Sequence, residues 1–170
     1  QGAIHFLKSC SGCDSIGIRL REGDDFPYFQ TEGFPEEFVR MESNLCTRDG
    51  DGQIVRDDTG NPVWECMCGN VISGRFDPAK PFFTENGSFW TNSISKFLAS
   101  TIEADREGWM RNKCNVKGYE SVAFVPLRTE IDTFGLLQLN YRRKGQFVPF
   151  DITFLEMVGK YLATWLARRQ

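Results

Sequence analysis

Two short apolar runs joined by a polar connection form the most regular pattern along the chain. They occupy residues 119–127 (YESVAFVPL) and 134–143 (FGLLQLNYRR), and RTEIDT connects them. Short apolar runs bounded by turn-forming residues favour buried strands over helices. Pro126 lies near the end of the first run, where a missing backbone donor is best tolerated. The pattern predicts the central hairpin of an antiparallel sheet, which the rest of the chain must cover.

The first part of the chain predicts a second hairpin followed by a short helix. Residues 13–21 alternate between apolar and polar positions, which is typical of a strand with one buried face. One face holds Ile16, Ile18 and Leu20, and the other holds Gly17, Arg19 and Arg21. Residues 26–31 predict the partner strand across a turn at 22–25. Pro35 then begins a short helix.

Helices are predicted at both ends of the chain. Residues 1–9 indicate the end of a first helix. Pro149 begins the last helix, whose apolar positions recur with the helical period over almost four turns. These positions are Phe154, Leu155, Val158, Tyr161, Leu162, Trp165 and Leu166. Arg168 and Arg169 follow, with the charge that the C-terminal end of a helix dipole favours.

The middle of the chain is polar and irregular. Residues 43–62 contain a DGDG run, but Ile54 and Gly60 stand where a calcium-binding EF-hand loop requires glycine and glutamate. Solvated turns account better for this region, with a small exposed hairpin between 53–55 and 63–65. The further predicted elements are a helix at 65–74 that ends at a glycine, a strand at 88–91 and a helix at 94–100.

The order of elements predicts an α+β domain. One antiparallel sheet is expected to carry helices on one face and a loop-rich lid on the other. Residues 1–170 are enough for a single domain with its own core, with an irregular cysteine-containing insertion at about 43–75. With 41% hydrophobic and 25% charged residues, the composition is that of an ordinary soluble globular protein.

Charge and hydropathy argue against several functions. The net charge of −3 disfavours nucleic acid as a partner, since its phosphates require a basic surface. No apolar run approaches the roughly 20 residues of a membrane span. Residues 1–9 lack the apolar core of a signal peptide, so a reducing, cytoplasmic setting is expected. The one histidine, His5, has no partners for Ser/His/Asp catalysis, and the adjacent carboxylates at 24–25, 36–37 and 57–58 indicate solvated turns and a helix start.

Three stretches of the sequence resemble GAF domains. Residues 11–39 resemble the opening hairpin and first helix of that fold, and residues 119–167 resemble its end. The middle, with ECMCGNVISG and RNKCNVKGYESVA, resembles a cysteine-containing subgroup found in multidomain bacterial and archaeal sensor histidine kinases. One departure is Val148, where the family usually has a capping Thr or Ser before the proline.

The resemblance implies a sensor domain that accompanies kinase domains in a longer chain. It implies a cavity between sheet and lid that takes a small-molecule or metal ligand. By analogy, the aromatic residues expected to line it are Phe82, Phe83, Phe89, Trp90 and Tyr119, and plain core packing is the alternative for them. A ligand that binds one conformation of the lid more tightly would increase the population of that conformation. The terminal helices would then carry the change to the neighbouring domains. The apolar positions of the last helix also leave a seam for a second copy, so a homodimer is expected.

Four of the six cysteines are placed in or near predicted lid segments. They are Cys46, Cys66, Cys68 and Cys114. Four thiolates suit zinc or an iron–sulfur cluster, and one thiolate can bind haem. Two other interpretations stay open, namely a reversible disulfide that changes the lid and buried thiols that act as small hydrophobic residues. Cys10 and Cys13 have no second pair, and a structural or incidental role is expected for them.

A second resemblance leads to an enzymatic alternative. Cys114 before YESVAFVPL and Cys68 before Gly69 are similar to the nucleophilic and resolving cysteines of GAF-type free methionine sulfoxide reductases. The chemistry is attack of a thiolate on the sulfoxide sulfur, followed by disulfide formation. Lys113 beside Cys114 is expected to lower the thiol pKa. The insertion at 43–64 and the aromatic FWTN segment do not match that enzyme, so a regulatory sensor is the main prediction.

Overall fold

The computed structural model describes residues 2–108 and 110–169. Within these residues the strands are β1 (Ser15–Leu20), β2 (Tyr28–Glu32), β3 (Phe89–Thr91), β4 (Ser121–Arg128) and β5 (Thr133–Tyr141). The helices are α1 (Gly2–Ser11), α2 (Glu36–Glu42), α3 (Cys66–Ser73), α4 (Ile94–Ser100), α5 (Lys113–Val116) and α6 (Pro149–Ala167). No helix in this described part combines the length and the apolar character that a membrane crossing requires.

All five strands pair antiparallel in one sheet, in the order β2-β1-β5-β4-β3. The predicted central hairpin is β4 and β5, in which Val125 stands opposite Leu137 and Val122 opposite Asn140. On the other side of β5, Ile18 of β1 also pairs with Leu137. β4 and β5 are buried on both faces, which explains why their sequences are apolar runs rather than alternating patterns. The predicted α+β class and antiparallel sheet are confirmed.

The sheet carries helices on one face and a lid on the other, as predicted. On the helix face, Ala123 of β4 joins a buried cluster with residues of α1 and α6. The next residue, Phe124, belongs to the opposite cluster under α2, α3 and α4. The segments 33–88, 92–108 and 110–118 cover this second face, and we call them the lid. Adjacent residues of one strand therefore contact the lid and the terminal helices.

Residues 45–65 of the lid form three short arms, which we call the three-arm module. Its centre is a closed ring of three backbone hydrogen bonds among Thr47, Val55 and Val63, which follow one another at intervals of eight residues in the sequence. Thr47 N donates to Val63 O (2.8 Å), Val63 N to Val55 O (3.0 Å) and Val55 N to Thr47 O (2.9 Å). The predicted hairpin between 53–55 and 63–65 is confirmed only where Val63 meets Val55, because Ile54 pairs with Arg48 and Trp64 with Cys46 instead.

The two exposed arms of the module end in turns of the same chemistry. In each turn an aspartate Oδ1 accepts two backbone N–H groups, and the preceding arginine donates to a glycine carbonyl. The participating residues are Arg48, Asp49, Asp51, Gly52 and Gln53 in one arm, and Arg56, Asp57, Thr59, Gly60 and Asn61 in the other. The hydroxyl of Thr59 contributes most to lowering the pKa of Asp57. A repeated Arg-Asp-x-x-Gly pattern therefore specifies both turns.

The N-terminal end of α6 lacks a side-chain cap, as the sequence predicts. Val148 occupies the cap position and is 56% exposed, while Asp151 Oδ2 accepts its backbone N–H at 2.8 Å. We expect Val148→Ser to stabilise the protein by about 0.5–1 kcal/mol, because a hydroxyl can accept a free N–H group of the first turn. Urea unfolding measures the difference, with Val148→Ala as the control that shortens the side chain without adding an acceptor. Equal stability of the two variants would contradict this expectation.

Candidate functional site

A small, largely enclosed cavity lies between the lid and the sheet, and we call it the thiol cavity. Its volume is about 20 Å³, roughly the room that a single buried water needs. Three cysteines line it, together with charged and polar side chains from both the sheet and the lid. The ionisable lining residues are Arg19, Tyr28, Glu42, Cys66, Cys68, Lys113 and Cys114.

Two lid helices bring the thiols to this cavity. Cys66 and Cys68 lie at the start of α3, and Cys114 lies in the single turn of α5. α3 ends where Gly74 adopts the left-handed conformation, as predicted. Cys66 has a φ of +65°, and Asn112, just before α5, has a φ of +57°. Both residues line the cavity, and the backbone is strained at Cys66, because asparagine adopts this conformation more readily than cysteine does.

Burial keeps the three cavity thiols protonated. It raises the pKa of Cys114 to about 12 and raises the pKa of Cys68 well above its usual value. The pKa of Cys66 is raised for the same reason. The expectation that Lys113 lowers the pKa of Cys114 is therefore wrong, because the loss of solvation dominates. Gln138 Nε2 lies 3.8 Å from Cys114 Sγ and donates a weak hydrogen bond to it.

Cys46 lies apart from the other three predicted thiols. Its Sγ donates to the Asp24 carbonyl at 3.1 Å, and burial, aided by Asp25, raises its pKa to about 11. It borders a separate outer depression with Glu65 and Arg111. Within the residues that the structure describes, no three His, Cys, Asp or Glu side chains are arranged to hold a metal ion. The thiols as placed here do not fit a four-thiolate zinc or iron–sulfur site, and the metal and haem assignments stay predictions.

The five predicted pocket aromatics occupy three different surroundings. Phe83 of the lid and Phe89 of β3 are buried in the cluster between lid and sheet, with ring centroids 6.1 Å apart. Phe82 and Trp90 border an open depression beside β3. Tyr119 is buried, and its hydroxyl forms a 2.7 Å hydrogen bond with a serine of β1. None of the five lines the thiol cavity, and their role in ligand binding stays a prediction. The aromatic residues that do line it are Tyr28, Phe38 and Phe124.

A buried arginine, which was not identified as a site residue from the sequence, lines the sheet side of the cavity. Arg19 of β1 is 1% exposed, and its guanidinium lies 3.7 Å from the Tyr28 ring centroid. It donates to the carbonyls of Phe26 (3.0 Å), Glu42 (2.6 Å) and Ser43 (2.9 Å). The alternation of β1 places Arg19 opposite the apolar face, and the lid buries that face too. The sequence feature that could have identified Arg19 as a site residue is its position as a charged residue within a predicted strand.

Asp24 is exposed, as expected for a solvated turn, but the neighbouring Asp25 corrects that expectation. Asp25 is 8% exposed. Its Oδ1 accepts backbone N–H groups from Phe26 (2.8 Å), Leu45 (2.9 Å) and Cys46 (3.2 Å). Because hydrogen bonds to a buried carboxylate are strong, Asp25 fixes the β1–β2 turn against the three-arm module.

Arg111 fastens the segment before α5 at the boundary between the outer depression and the thiol cavity. Its side chain is 12% exposed, and its guanidinium binds Glu65 Oε2 at 2.6 Å and the Asn44 carbonyl at 2.7 Å. Glu42 Oε2 lies 3.9 Å away, and burial raises the pKa of Glu42. Glu42 and Lys113 line both the depression and the cavity. These two side chains therefore separate the cavity from the surface.

Alkylation should distinguish the cavity thiols from an exposed one. Cys10 is exposed, whereas Cys114 is half-buried with its thiol against the sheet. We expect iodoacetamide at pH 8 to modify Cys10 at least about a hundredfold faster, since a pKa of about 12 leaves only about one Cys114 thiolate in 10⁴. Peptide mass mapping follows both rates in one sample. Comparable rates would show that the lid opens readily.

The raised thiol pKa values also predict how stability depends on pH. The ordinary thiol pKa is 9.0, and that of Cys114 is about 12 when folded. Between these values the folded chain keeps a proton that the unfolded chain releases, so the stabilisation is intact below about pH 9 and lost as pH rises further. Urea unfolding at pH 8 and pH 10.5 measures the loss. The loss of stability should be smaller in the double variant Cys68→Ser/Cys114→Ser than in the unmodified protein. An equal loss in both proteins would show that these thiols do not cause the pH dependence.

The fold matches solved structures of GAF domains at low sequence identity. A domain assigned to a two-component sensor histidine kinase of Sinorhizobium meliloti 1021 aligns with a TM-score of 0.58 and 15% identity, over 97% of this chain and 85% of that one. The GAF domain of a phosphoenolpyruvate-protein phosphotransferase from Coxiella burnetii aligns with a TM-score of 0.61 and 11% identity, over 97% and 78%. The type II free methionine-R-sulfoxide reductase of Thermoplasma acidophilum aligns with a TM-score of 0.59 and 13% identity, over 96% and 86%.

These similarities establish a GAF-like fold. No protein-family model matches the sequence, and no curated protein matches it. The resemblance found in the sequence is thereby confirmed for the fold. The parent kinase and the cysteine-containing subgroup stay predictions.

Proposed function

We propose that this GAF-fold chain is a regulatory sensing domain of a multidomain cytoplasmic signalling protein, such as a sensor histidine kinase. A small ligand that occupies the thiol cavity changes the lid. The sheet passes the change to α1 and α6, which continue into neighbouring domains. Solved structures of similar fold include domains of a sensor histidine kinase and of a phosphotransferase, which supports a regulatory setting.

The position of β5 between the cavity and both terminal helices carries this proposal. Gln138 of β5 is 1% exposed and contacts Cys114 on the lid side. Its neighbours Leu137 and Leu139 belong to the buried cluster on the helix face, together with residues of α1 and α6. Because packed interiors transmit small displacements, a change at the cavity that moves β5 alters the packing of both helices.

A second connection joins the lid directly to α6. Glu156 of α6 accepts hydrogen bonds from the Thr84 hydroxyl (2.5 Å) and from Asn86 Nδ2 (2.7 Å). Arg128 of β4 donates to the Asn86 carbonyl, and its guanidinium lies 5.5 Å from the Phe76 ring centroid. Movement of this lid segment therefore changes the contacts of α6 without passing through the sheet.

We also propose that α6 mediates homodimerisation. Exposed apolar residues form a stripe along its outward face. They are Phe150, Phe154, Met157, Tyr161 and Trp165. Sedimentation at high protein concentration tests this, with Tyr161→Lys as the variant expected to dissociate. A monomer mass for the unmodified protein would exclude the dimer.

Hydrogen–deuterium exchange tests whether the cavity and α6 are coupled. Cys68→Met enlarges a side chain in the thiol cavity, and it should raise exchange several-fold in α6 as well as in the lid. Cys46→Met makes the same change at a buried thiol outside the cavity and should leave α6 unchanged. Adding Glu156→Ala to Cys68→Met should reduce the response of α6. Changes confined to the lid in Cys68→Met would contradict the proposal.

One observation favours a second function, the reduction of free methionine sulfoxide. Cys114 and Cys68 line the same cavity, as a nucleophilic and a resolving cysteine must. The Cys114 thiolate attacks the sulfoxide sulfur and methionine leaves, after which the sulfenic acid of Cys114 condenses with the Cys68 thiol to a disulfide and water. A dithiol then restores both thiols. The raised pKa of Cys114 and the small volume of the cavity count against this function.

A turnover assay separates the two functions. Purified protein is incubated with free methionine sulfoxide and dithiothreitol, and released methionine is measured. Turnover that is lost in Cys114→Ser and kept in Cys10→Ser would establish the reductase instead of the sensor. We expect no turnover.

The metal and haem predictions have their own test. Elemental analysis and a visible absorption spectrum are recorded on protein purified without air, and again on Cys66→Ser and Cys114→Ser. Stoichiometric zinc or iron that disappears in the variants would assign the thiols to a metal site. Protein free of metal and colour would rule out that assignment.

A further inference from the structure

The buried guanidinium of Arg19 has no carboxylate partner. None of the ion pairs among residues 2–108 and 110–169 includes it, and the three oxygens that it binds are neutral backbone carbonyls. Arginine keeps its charge when buried, and a buried charge is costly unless an opposite charge compensates it. Arg19 therefore places a fixed positive charge on the wall of the thiol cavity.

Hydrogen-bond donors also exceed acceptors beside this cavity. In the described part of the chain, Arg19 Nε and Asn140 Nδ2 are buried without any partner. Gln138 lies on the same face of β5 as Asn140, and its Nε2 meets only Asn140 Oδ1 (3.1 Å) and the weakly accepting Cys114 Sγ (3.8 Å). Unpaired buried donors are rare in folded proteins and call for an explanation. An acceptor in the cavity would supply one.

The other groups that line the cavity do not provide a negative charge for this acceptor position. Glu42 is the one carboxylate among the lining residues, and it already pairs with Arg111 at 3.9 Å. Lys113 adds a second positive charge to the lining. Since the three thiols are protonated, the lining carries two positive charges against one negative charge.

We propose that the thiol cavity binds a small monovalent anion of about the size of chloride, which accepts N–H groups from Arg19 and Gln138, two of the side chains that line it. This proposal rests on the sensing function proposed above and names the class of its ligand. A volume of about 20 Å³ admits an anion of about one atom and excludes sulfate, phosphate and organic carboxylates. The anion enters between Glu42 and Lys113, where the outer depression meets the cavity.

Bromide serves as the probe, because its anomalous scattering identifies it in a crystal. Crystals grown in sodium bromide without chloride should show an anomalous peak within about 3.5 Å of Arg19 Nε. In solution, the melting temperature should rise in sodium bromide relative to sodium gluconate at equal ionic strength, and the rise should saturate.

Variants of two glutamines test the donors without removing the arginine that the fold requires. Gln138→Leu deletes one donor from the cavity and should weaken the apparent bromide affinity by about tenfold. Gln53→Leu makes the same change on the exposed three-arm module and should leave the affinity unchanged. Equal bromide affinity in all three proteins would overturn the assignment of the donors.

The remaining outcomes are also decisive. Absence of both the peak and the saturable rise would overturn the anion site and leave water in the cavity. A peak without a saturable rise would mean binding at crystal concentration only, and it would overturn the proposal as well. The exchange experiment on Cys68→Met does not depend on the anion. If α6 fails to respond there while bromide binds as expected, the site stands and its role in sensing is wrong.

Discussion

Replacement of Gly135 by alanine is expected to destabilise the fold by about 3–5 kcal/mol. Gly135 of β5 pairs with Leu20 of β1, where these two neighbouring strands approach each other. A β-carbon at Gly135 would lie 1.9 Å from the carbonyl oxygen of Arg19, which is backbone and cannot rotate away. Relief of this contact requires the two strands to separate, and their hydrogen bonds are then lost.

Urea unfolding of Gly135→Ala measures this loss directly. Gly50→Ala is the matched control, because a β-carbon at Gly50 in the exposed three-arm module meets nothing within 4 Å. We expect its stability to differ from that of the unmodified protein by less than about 0.5 kcal/mol. A loss below about 1 kcal/mol for Gly135→Ala would mean that β1 and β5 are further apart than the structure places them.

Arg19→Ala is expected to cost a similar amount, about 3–5 kcal/mol, for a different reason. The guanidinium satisfies the carbonyls of Phe26, Glu42 and Ser43, which lie at the end of α2 and in the β1–β2 turn. Its removal leaves buried acceptors without donors and opens a void against the Tyr28 ring. Lysine does not replace it, since one ammonium cannot reach three carbonyls with the geometry of a guanidinium.

Arg21 provides the matched control on the same face of the same strand end. Its guanidinium pairs with Asp132 at 3.0 Å, and both side chains are well exposed to water. We expect Arg21→Ala to cost less than about 1 kcal/mol, because exposed ion pairs contribute little. Denaturation curves of both variants under the same conditions compare the two sites. Similar losses for Arg19→Ala and Arg21→Ala would show that the lid does not bury Arg19.

The sheet and its two terminal helices could be predicted because their signals are local. β4 and β5 are continuous apolar runs, and α6 has a helical period that needs no knowledge of its partners. The alternation of β1 even placed Arg19 on the correct face. The alternation predicted a strand with one buried face, and it does not show the burial of the second face because the lid is distant in sequence.

The thiol cavity could be predicted only in part. Cys66, Cys68 and Cys114 were predicted as one group with Cys46, and the structure brings the first three together. Cys46 lies apart from them, since sequence spacing does not show that Asp25 holds it elsewhere. The polar residues of β5 gave no such signal. Gln138 and Asn140 stand in an apolar strand, and their burial depends on the fold of the lid above them. The surroundings of the five predicted aromatic residues also depend on the folded lid. Their positions in the sequence do not show whether they lie in the core or line the cavity.

The three-arm module offers sites for grafting foreign sequence. Its two exposed turns span residues 49–53 and 57–61. One backbone hydrogen bond joins the two ends of each turn, from Asp49 N to Gln53 O and from Asp57 N to Asn61 O, both 2.9 Å. Longer loops closed at such points cost little conformational entropy. A fluorescent label or a peptide tag inserted into one turn would leave the other as an unmodified internal reference. A label on the module would then report on the lid, in a position that Asp25 fixes against the β1–β2 turn.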